Sequence, residues 1–367
     1  MPDPDPVTTP LFSAADTPSS PHRRRARYPG KNPRRFEDKY KELNPDRYRT
    51  DVTKVIAAGK TPAGSHRPIM VNEILEVLRL KPGELVVDCT LGFGGHAGEI
   101  LNCIATGKTK GRLLGLDVDP IELPKATTRL RDAGWSEEVF TSHRSNFAGL
   151  PKLFKELGLG AADAILADLG VSSMQLDDPS RGFTFKHDGP LDLRLNPQRT
   201  PSAAQWLARV SATNLATVLR DNSDEPQAEL IARELVDRQK RIPFVRTKQL
   251  SDALRNILHL PKASQGQEVD DTSIRRVFQA LRIAVNDEFA ALESLLRNLP
   301  FCLKPGGRVA ILTFHSGEDR RVKQSFREGT RAGIYLETND TLIRPSLEEL
   351  RQNPRSASAK LRWALRT

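Results

Sequence analysis

The hydrophobic pattern becomes regular from about residue 66. Apolar residues between Val71 and Leu78 recur at helical spacing, and Lys81-Pro82-Gly83 then ends the predicted helix. Four short apolar runs follow, and each predicts a buried strand. Because helix-length segments separate most of these runs, the pattern favours an α/β fold with a parallel sheet covered by helices on both faces. The predicted strands are residues 85–88, 113–117, 164–168 and 308–314.

A long gap separates the third predicted strand from the fourth. Residues 181–270 contain helical patterns, for example at 203–207 and 230–236, but no convincing strand. One amphipathic pattern then runs from residue 277 to 299, which predicts a single long helix leading back to the sheet. We therefore expect a sheet domain in two segments, with a mainly helical insertion between them. The predicted boundaries are 63–180 and 271–367 for the sheet domain and 181–270 for the insertion.

The first 62 residues form a basic leader without a periodic apolar face, which predicts a flexible segment. The leader has a net charge of +5 (13 Lys and Arg, 8 Asp and Glu), and residues 344–367 have +4 (6 and 2), out of +10 for all 367 residues. Basic ends on a nearly neutral body favour contact with a polyanion, because each lysine or arginine beside a phosphate releases counterions. The alternative is that these segments only keep the protein soluble.

The apolar runs, the N-terminal residues and the cysteines together predict the compartment of the protein. No apolar run approaches the roughly 20 residues that a membrane span requires, so we expect no membrane contact. The N-terminus lacks the basic-then-apolar order of a secretory signal, and early aspartates argue against a transit peptide. Three scattered cysteines cannot form a disulfide framework or a zinc knuckle, which indicates a reducing compartment. We therefore expect a cytoplasmic protein without a bound metal.

The first predicted strand leads into a glycine-rich segment, residues 88–96 (DCTLGFGGH). Its three glycines let the backbone turn tightly and approach a ligand, and ligands of open parallel sheets bind beyond the carboxyl ends of the strands. Asp117 ends the second strand, where a carboxylate can accept hydrogen bonds from two ribose hydroxyls. The spacing matches neither a dinucleotide fingerprint nor a P-loop. S-adenosylmethionine, which has a ribose but no pyrophosphate, therefore fits better than NAD; a simple tight turn is the alternative.

Polar residues also follow the third and fourth strands. Asp168 ends the third strand, so it faces the crevice where the reactive end of a cofactor would lie, unless it is only a solvated strand end. His315 follows the fourth strand and is either a base or a hydrogen-bonded structural histidine. His96 has the same two interpretations, because it could simply order its own loop. Two more polar clusters, residues 181–185 and 191–194, stand where a core would be apolar.

Several motifs occur together, in the order of a known family. From about residue 66 to the C-terminus, the chain resembles the bacterial ribosomal RNA small-subunit methyltransferase H family, the N4-cytosine methyltransferases of 16S rRNA. The resemblance covers some four-fifths of the chain, and several of its motifs are long enough to be specific. They are residues 66–70 (HRPIM), 94–96 (GGH), 168–173 (DLGVSS) with Gln175, 181–183 (RGF), 191–194 (LDLR), 278–286 (FQALRIAVN), 314–316 (FHS), 353–355 (NPR) and 358–362 (SAKLR).

The resemblance implies a Rossmann-like class I S-adenosylmethionine-dependent methyltransferase sheet with an inserted helical domain for substrate recognition. The partner would be small-subunit ribosomal RNA or the assembling 30S particle, and the oligomeric state is left open. Phe147 would lie near the adenine of the cofactor. The implied contacts to S-adenosylmethionine are Gly94, Gly95, His96, Asp117, Phe147, Asp168 and Gln175.

The leading hypothesis is thus an enzyme that methylates the N4 amine of one cytidine. This amine shares its lone pair with the ring, so the site must hold it in line with the methyl carbon and accept its hydrogen bonds. Asp168 is the first candidate acceptor, and Ser172 and Asp192 are weaker ones. One alternative is a DNA amino-methyltransferase, although residues 168–171 lack the Pro-Pro-aromatic loop frequent in that class. Another is a non-catalytic nucleic-acid-binding protein.

Overall fold

A seven-stranded sheet organises the chain. The computed structural model describes residues 68–260 and 270–367; the predicted leader lies outside them, as do residues 261–269 of the predicted insertion. The strand order is β3-β2-β1-β4-β5-β7-β6, with β1 to β5 parallel and β7 antiparallel to both β5 and β6. The strands are β1 (Leu85–Asp88), β2 (Arg112–Asp117), β3 (Phe140–Arg144), β4 (Ala162–Asp168), β5 (Leu303–Thr313), β6 (Tyr335–Thr338) and β7 (Lys360–Arg366).

Helices cover both faces of this sheet, and further helices form a separate bundle between β4 and β5. The helix predicted over residues 71–78 is confirmed as α1. The helices are α1 (Val71–Leu78), α2 (Gly95–Ile104), α3 (Glu122–Asp132), α4 (Leu150–Glu156), α5 (Ser173–Asp177), α6 (Ala203–Leu207), α7 (Ala212–Ser223), α8 (Ala228–Gln239), α9 (Thr247–Ile257), α10 (Thr272–Asn286), α11 (Glu288–Cys302), α12 (Ser316–Arg331) and α13 (Leu347–Gln352).

The four predicted strands are confirmed as β1, β2, β4 and β5. Nearly all of their apolar residues are buried because helices pack on both faces; Val87 of β1, for example, lies beside Leu114 and Ile165. The sequence pattern did not predict β3, β6 or β7. All three lie on the outer parts of the sheet, where polar residues such as those of β3 are only partly covered.

The segment between β4 and β5 has a hydrophobic core of its own. In the described part of residues 181–260, helices α6 to α9 occur, and the β-structure is limited to one isolated bridge between Pro190 and Arg246. The buried cluster of this segment runs from Phe183 to Val285, so α10 packs with the helical bundle. Two other buried clusters lie on the two faces of the sheet.

The single long helix predicted over residues 277–299 is wrong, because the chain breaks there into α10 and α11. Asp287 adopts a left-handed conformation (φ 53°), which cannot continue a helix. The preceding Asn286 is held by the neighbouring loop: its Oδ1 accepts the N–H of Leu195 at 2.7 Å, and its Nδ2 donates to the carbonyl of Leu193 at 2.7 Å. The break turns α11 from the helical bundle onto the sheet.

Candidate active site

A cavity of about 590 Å³ lies beyond the carboxyl ends of the parallel strands. One half is lined by the loop after β1, the ends of β2 and β4, and the segment leading into α5. The other half is lined by α10, the start of α11 and the β5–α12 junction, while residues between 353 and 358 contribute to the rim. A cavity of this volume is in the range of small-molecule sites. A cavity thus lies at the edge of the sheet where the sequence predicts that ligands bind.

The glycine-rich loop is shaped by close contacts. The N–H of Gly92 donates to Oδ2 of Asp117 at 2.8 Å, which ties the loop to the end of β2. Gly94 precedes α2 with φ 86°, a conformation that favours glycine. A Cβ on Gly95 would lie 2.5 Å from the ring of Pro68, so this position admits no larger residue. Gly95 and His96 line the cavity, whereas Gly94 sets the turn behind it.

Asp117 presents a carboxylate that the backbone already orients. Its Oδ1 accepts the N–H of Asp119 at 2.9 Å and its Oδ2 accepts that of Gly92, and each oxygen keeps a lone pair for a further donor. Burial raises the pKa of Asp117 to about 6, although these backbone N–H groups oppose the shift. The group fits the predicted role of accepting hydrogen bonds from ribose hydroxyls.

Gln175 and Ser172 line the cavity as parts of a polar network around Asp119. Ser172 and Gln175 form a reciprocal cap at the start of α5. The Gln175 Nε2 then donates to Oδ2 of Asp119 at 2.7 Å, and Arg181 donates to the same oxygen at 2.8 Å. Asp119 is fully buried. Sequence reasoning missed Asp119, because an aspartate two residues beyond a strand carries no distinctive pattern.

Asp168 lies at the end of β4 with one oxygen unpaired. Its Oδ1 is shielded from solvent and has no hydrogen-bond partner among the described residues. Its Oδ2 lies 3.7 Å from Nδ1 of His96. Burial, and after it the charge of Glu318, raise the pKa of Asp168 to about 7. A buried carboxylate oxygen without a partner is costly and therefore indicates a ligand-binding position.

His96 is fixed by its own neighbours. Its Nε2 lies 2.9 Å from the carbonyl oxygen of Ile69 and donates to it, so Nδ1 faces Asp168 as an acceptor when the ring is neutral. Burial lowers the pKa of His96. The structure favours the interpretation in which His96 orders its own loop, and the ring also lines the cavity.

Phe147 lies on the cavity wall, in a short 3₁₀ turn directly after β3. Asp192 does not line the cavity. Its carboxylate pairs with Arg194, with Nη2 and Oδ2 2.6 Å apart, and also accepts the backbone N–H of Arg194. This pairing gives Asp192 a role in shaping the loop of residues 191–194.

The charges around the glycine loop suit a cationic ligand. Asp88 is 1% exposed, and burial raises its pKa to about 6 against the opposing effect of His96. Asp88, Asp117 and Asp168 therefore place three carboxyl groups with raised pKa values beside one loop.

In residues 68–260 and 270–367, no group of three or more His, Cys, Asp or Glu side chains is arranged to hold a metal ion. The same residues include no helix long and apolar enough to cross a bilayer.

These residues fit S-adenosylmethionine. Asp168 offers an unpaired carboxylate oxygen to a cationic group, Asp117 an oriented acceptor for hydroxyls, and the loop before α2 a backbone surface that side chains do not obstruct. The strand order, with β7 inserted antiparallel between β5 and β6, and this site define a class I S-adenosylmethionine-dependent methyltransferase.

Within that class, the chain belongs to the MraW methylase family, which it matches over residues 63–367. It is 50% identical over 346 residues to ribosomal RNA small subunit methyltransferase H 1 of Lachnoclostridium phytofermentans, covering 94% of this chain and 93% of the relative. A methyltransferase H 2 of Alkaliphilus metalliredigens is 48% identical, covering 94% and 97%. The methyltransferase H of Thioalkalivibrio sulfidiphilus is 39% identical, covering 83% and 98%. The family resemblance seen in the sequence is thereby confirmed.

Some of these matches extend into the leader, residues 1–62. A match over 94% of 367 residues is longer than the family region of residues 63–367, so about 40 matched residues fall within the leader. The relative from Thioalkalivibrio sulfidiphilus covers only 83% of the chain, close to the family region alone. A leader of this kind is therefore shared with some relatives and not with others.

Proposed function

We propose that this methyltransferase modifies the N4 amine of a cytidine in small-subunit ribosomal RNA. Its relatives carry the name ribosomal RNA small subunit methyltransferase H, and the family resemblance implies N4-cytosine chemistry. The observation that carries the proposal is the second half of the cavity. Phe314 and Phe289 both line this half, and aromatic side chains are the surfaces on which extruded bases stack. Arg321 already covers one face of Phe289, so Phe314 is the candidate surface.

Residues of the chain can perform each task that the transfer requires. When bound, S-adenosylmethionine supplies a methyl group on a positively charged sulfur, which leaves as a neutral thioether. Asp117 and the glycine loop would hold the nucleoside, with Phe147 beside the adenine, while Asp168 would face the charged end. A buried carboxylate at that point also accepts a hydrogen bond from an amine, which makes the nitrogen more electron-rich as it reacts. Ser172 would contribute by fixing the segment that carries Gln175.

RNA recognition would fall mainly to the helical bundle and the basic ends. We assign substrate recognition to the insertion of residues 181–270, extended by α10, because the insertion shares one core with α10 and α10 forms one wall of the cavity. Arg275 of α10 is exposed at the cavity and could meet phosphate groups. The substrate would be the RNA or the assembling 30S particle in the cytoplasm, where the three free cysteines would stay reduced.

Methyl transfer from labelled S-adenosylmethionine tests the proposal. The substrates are undermethylated small subunits, naked small-subunit rRNA and duplex DNA. We expect label in small-subunit RNA, recovered as N4-methylcytidine after digestion to nucleosides. Label in DNA alone would favour the amino-methyltransferase of DNA, and label at another atom of the RNA would refute the N4 assignment. A protein that binds RNA without transferring label would be a non-catalytic binding protein.

A further inference from the structure

His315 lines the cavity directly after the end of β5. It connects β5 to α12, its ring packs against that of Phe289 with centroids 5.7 Å apart, and its side chain is 11% exposed. Both ring nitrogens are shielded from solvent and make no well-directed hydrogen bond within the described residues. Unsatisfied buried polar atoms are rare in native proteins, and a catalytic role is one of their recognised causes.

Glu318 lies beside this ring and fixes its state. The Glu318 Oε1 is 3.2 Å from Nε2 of His315, and its Oε2 accepts the N–H of Phe314 at 2.8 Å. Burial would raise the pKa of Glu318, but His315, Arg282 and the Phe314 N–H together hold it below its usual value. An ionised carboxylate beside Nε2 favours the proton on that nitrogen, so Nδ1 is left as the acceptor.

Two arginines on this side of the cavity are already engaged, whereas Arg275 is exposed. Arg282 of α10 donates two hydrogen bonds of 2.8 Å to Glu288 at the start of α11. Arg321 of α12 lies 3.6 Å above the ring of Phe289 and pairs with Glu293. Asp168 ends the neighbouring strand β4, and its Oδ2 lies 3.7 Å from Nδ1 of His96. His315, with Glu318 beside it, is therefore the imidazole in the half of the cavity that we assign to the substrate.

We propose that His315, oriented by Glu318, accepts the proton that the substrate amine loses during methyl transfer. This inference rests on the proposed function. As the amine nitrogen forms its bond to the methyl carbon, the electron pair of the broken carbon–sulfur bond stays on sulfur, and one N–H proton passes to Nδ1 of His315. The resulting imidazolium is stabilised by the Glu318 carboxylate until the proton leaves to water. The same arrangement of base and orienting carboxylate activates nucleophiles in other enzymes.

Replacing His315 by glutamine tests this role in the full-length protein. His315→Gln keeps a polar side chain of similar reach but removes the base. We expect its single-turnover rate of methylation on undermethylated small subunits to fall on the order of 100-fold. Its S-adenosylmethionine affinity, measured by calorimetry, should stay within about twofold of wild type. His143→Gln is the matched control, because His143 lies on β3 outside the cavity lining.

Two further measurements distinguish a His315 that accepts a proton from a His315 that is only structural. In the cofactor-free protein, ¹⁵N chemical shifts of the imidazole should show the proton of neutral His315 on Nε2, with the signal assigned by its loss in His315→Gln. Glu318→Gln, which preserves the volume and the acceptor for Phe314, should also lower the single-turnover rate at least tenfold. It provides the kinetic test if the His315 variant fails to fold.

The outcomes are distinct. A rate within tenfold of the His143→Gln control, in a folded His315→Gln protein that binds cofactor normally, would overturn the assignment, as would a proton on Nδ1 in the neutral ring. Wild-type protein that methylates no cytidine would instead refute the proposed function, and the proton acceptor with it. Wild-type activity combined with an unimpaired His315→Gln variant would refute His315 alone.

Discussion

The three carboxyl groups around the glycine loop are the main electrostatic feature of the site at the scale of single residues. Burial raises the pKa of Asp88 and Asp117 to about 6 and that of Asp168 to about 7. A raised carboxyl pKa means that the native state holds its proton above the unfolded pKa of about 3.9, and the associated stability is lost as pH rises through the native pKa. A bound cation offsets this loss, because it favours the ionised form.

Cofactor affinity should therefore depend on pH. S-adenosylmethionine should bind more tightly as pH rises from 6 to 8, by up to about tenfold per pH unit below the pKa of Asp168, and should level off above it. Calorimetry in buffers of different ionisation enthalpy should show proton release on binding at pH 6.5. S-adenosylhomocysteine, which lacks the sulfonium charge, is the control and should show a weaker dependence. A flat affinity for S-adenosylmethionine across this range would contradict the role of these carboxyls.

Asp168→Asn separates binding from chemistry at the same position. The amide keeps the size and one acceptor oxygen but loses the charge, so the pH dependence of cofactor affinity should diminish. If the carboxylate acts mainly in the transition state, kcat should fall while the KM for RNA changes little. Near-native kcat and near-native cofactor affinity together would leave Asp168 only a structural role.

Asp117→Ala tests the proposed contact to ribose. Removing a carboxylate that bonds ligand hydroxyls costs about 1.5–3 kcal/mol, so affinity for S-adenosylmethionine should fall roughly ten- to a hundredfold. The variant also frees the N–H groups of Gly92 and Asp119, so its folding should be verified by circular dichroism. Unchanged affinity in a folded variant would exclude the contact.

At the scale of secondary-structure elements, the break between α10 and α11 shapes the cavity. Asn286 joins the break to the loop of residues 191–194, and Arg282 and Glu288 pair across it.

Asn286→Ala should lower the free energy of unfolding by about 2 kcal/mol, because it leaves the N–H of Leu195 and the carbonyl of Leu193 without their partner. Asn298→Ala in α11 is the control, since it removes bonds only to Ser294 one turn earlier. Equal urea midpoints for the two variants would contradict this role of Asn286.

The sequence predicted the elements whose pattern is set by burial. Strands β1, β2, β4 and β5 are continuous apolar runs, because helices cover them on both faces. In β7 the pattern is masked, since Arg362 is only 5% exposed and its charge is neutralised by Asp319 of α12. The break at Asp287 was missed for a different reason. It depends on Leu193 and Leu195, which are about 90 residues distant in sequence, so no local pattern reports it.

The residues of the candidate site divide in the same way, into those that a local sequence pattern indicates and those that it does not. Asp117 and Asp168 were found because they end buried strands, and Gly95 because a glycine-rich turn follows the first one. Other positions came only from the family resemblance: Gln175, which reaches the cavity through a cap, and Phe147, which follows the unpredicted strand β3. Arg181 was seen as part of a polar cluster and of a family motif, but its role was not predicted, because its partner Asp119 is 62 residues away.

At the scale of the whole molecule, the net positive charge is concentrated at the two ends of the sequence. The leader carries half of the net charge of +10, and some relatives share a leader of this kind. Deleting residues 1–62 should leave the melting temperature nearly unchanged, because the segment has no periodic apolar face. The slope of log affinity for RNA against log salt concentration should become shallower, since fewer counterions are released.

A second variant controls for the length of the leader. Replacing Arg23, Arg24 and Arg25 by glutamine removes three charges and keeps every other residue. Its salt slope should lie between those of wild type and the deletion. Identical slopes for all three proteins would mean that the leader makes no contact with phosphate groups.

The position of β7 between β5 and β6 determines the order in which the sheet can form during synthesis. Among the described strands, β6 pairs only with β7, yet it leaves the ribosome before β7, so it has no strand partner there when it first emerges. Until residues 360–366 follow, one edge of β5 also stays open, and an open edge is a template for pairing with another chain. The five parallel strands, whose carboxyl ends lie at the cavity, can assemble earlier. Premature termination before residue 360 would therefore yield a nascent chain that has most of its active site and an unpaired strand edge. Such an edge favours aggregation, so chaperones and proteases would act on this chain.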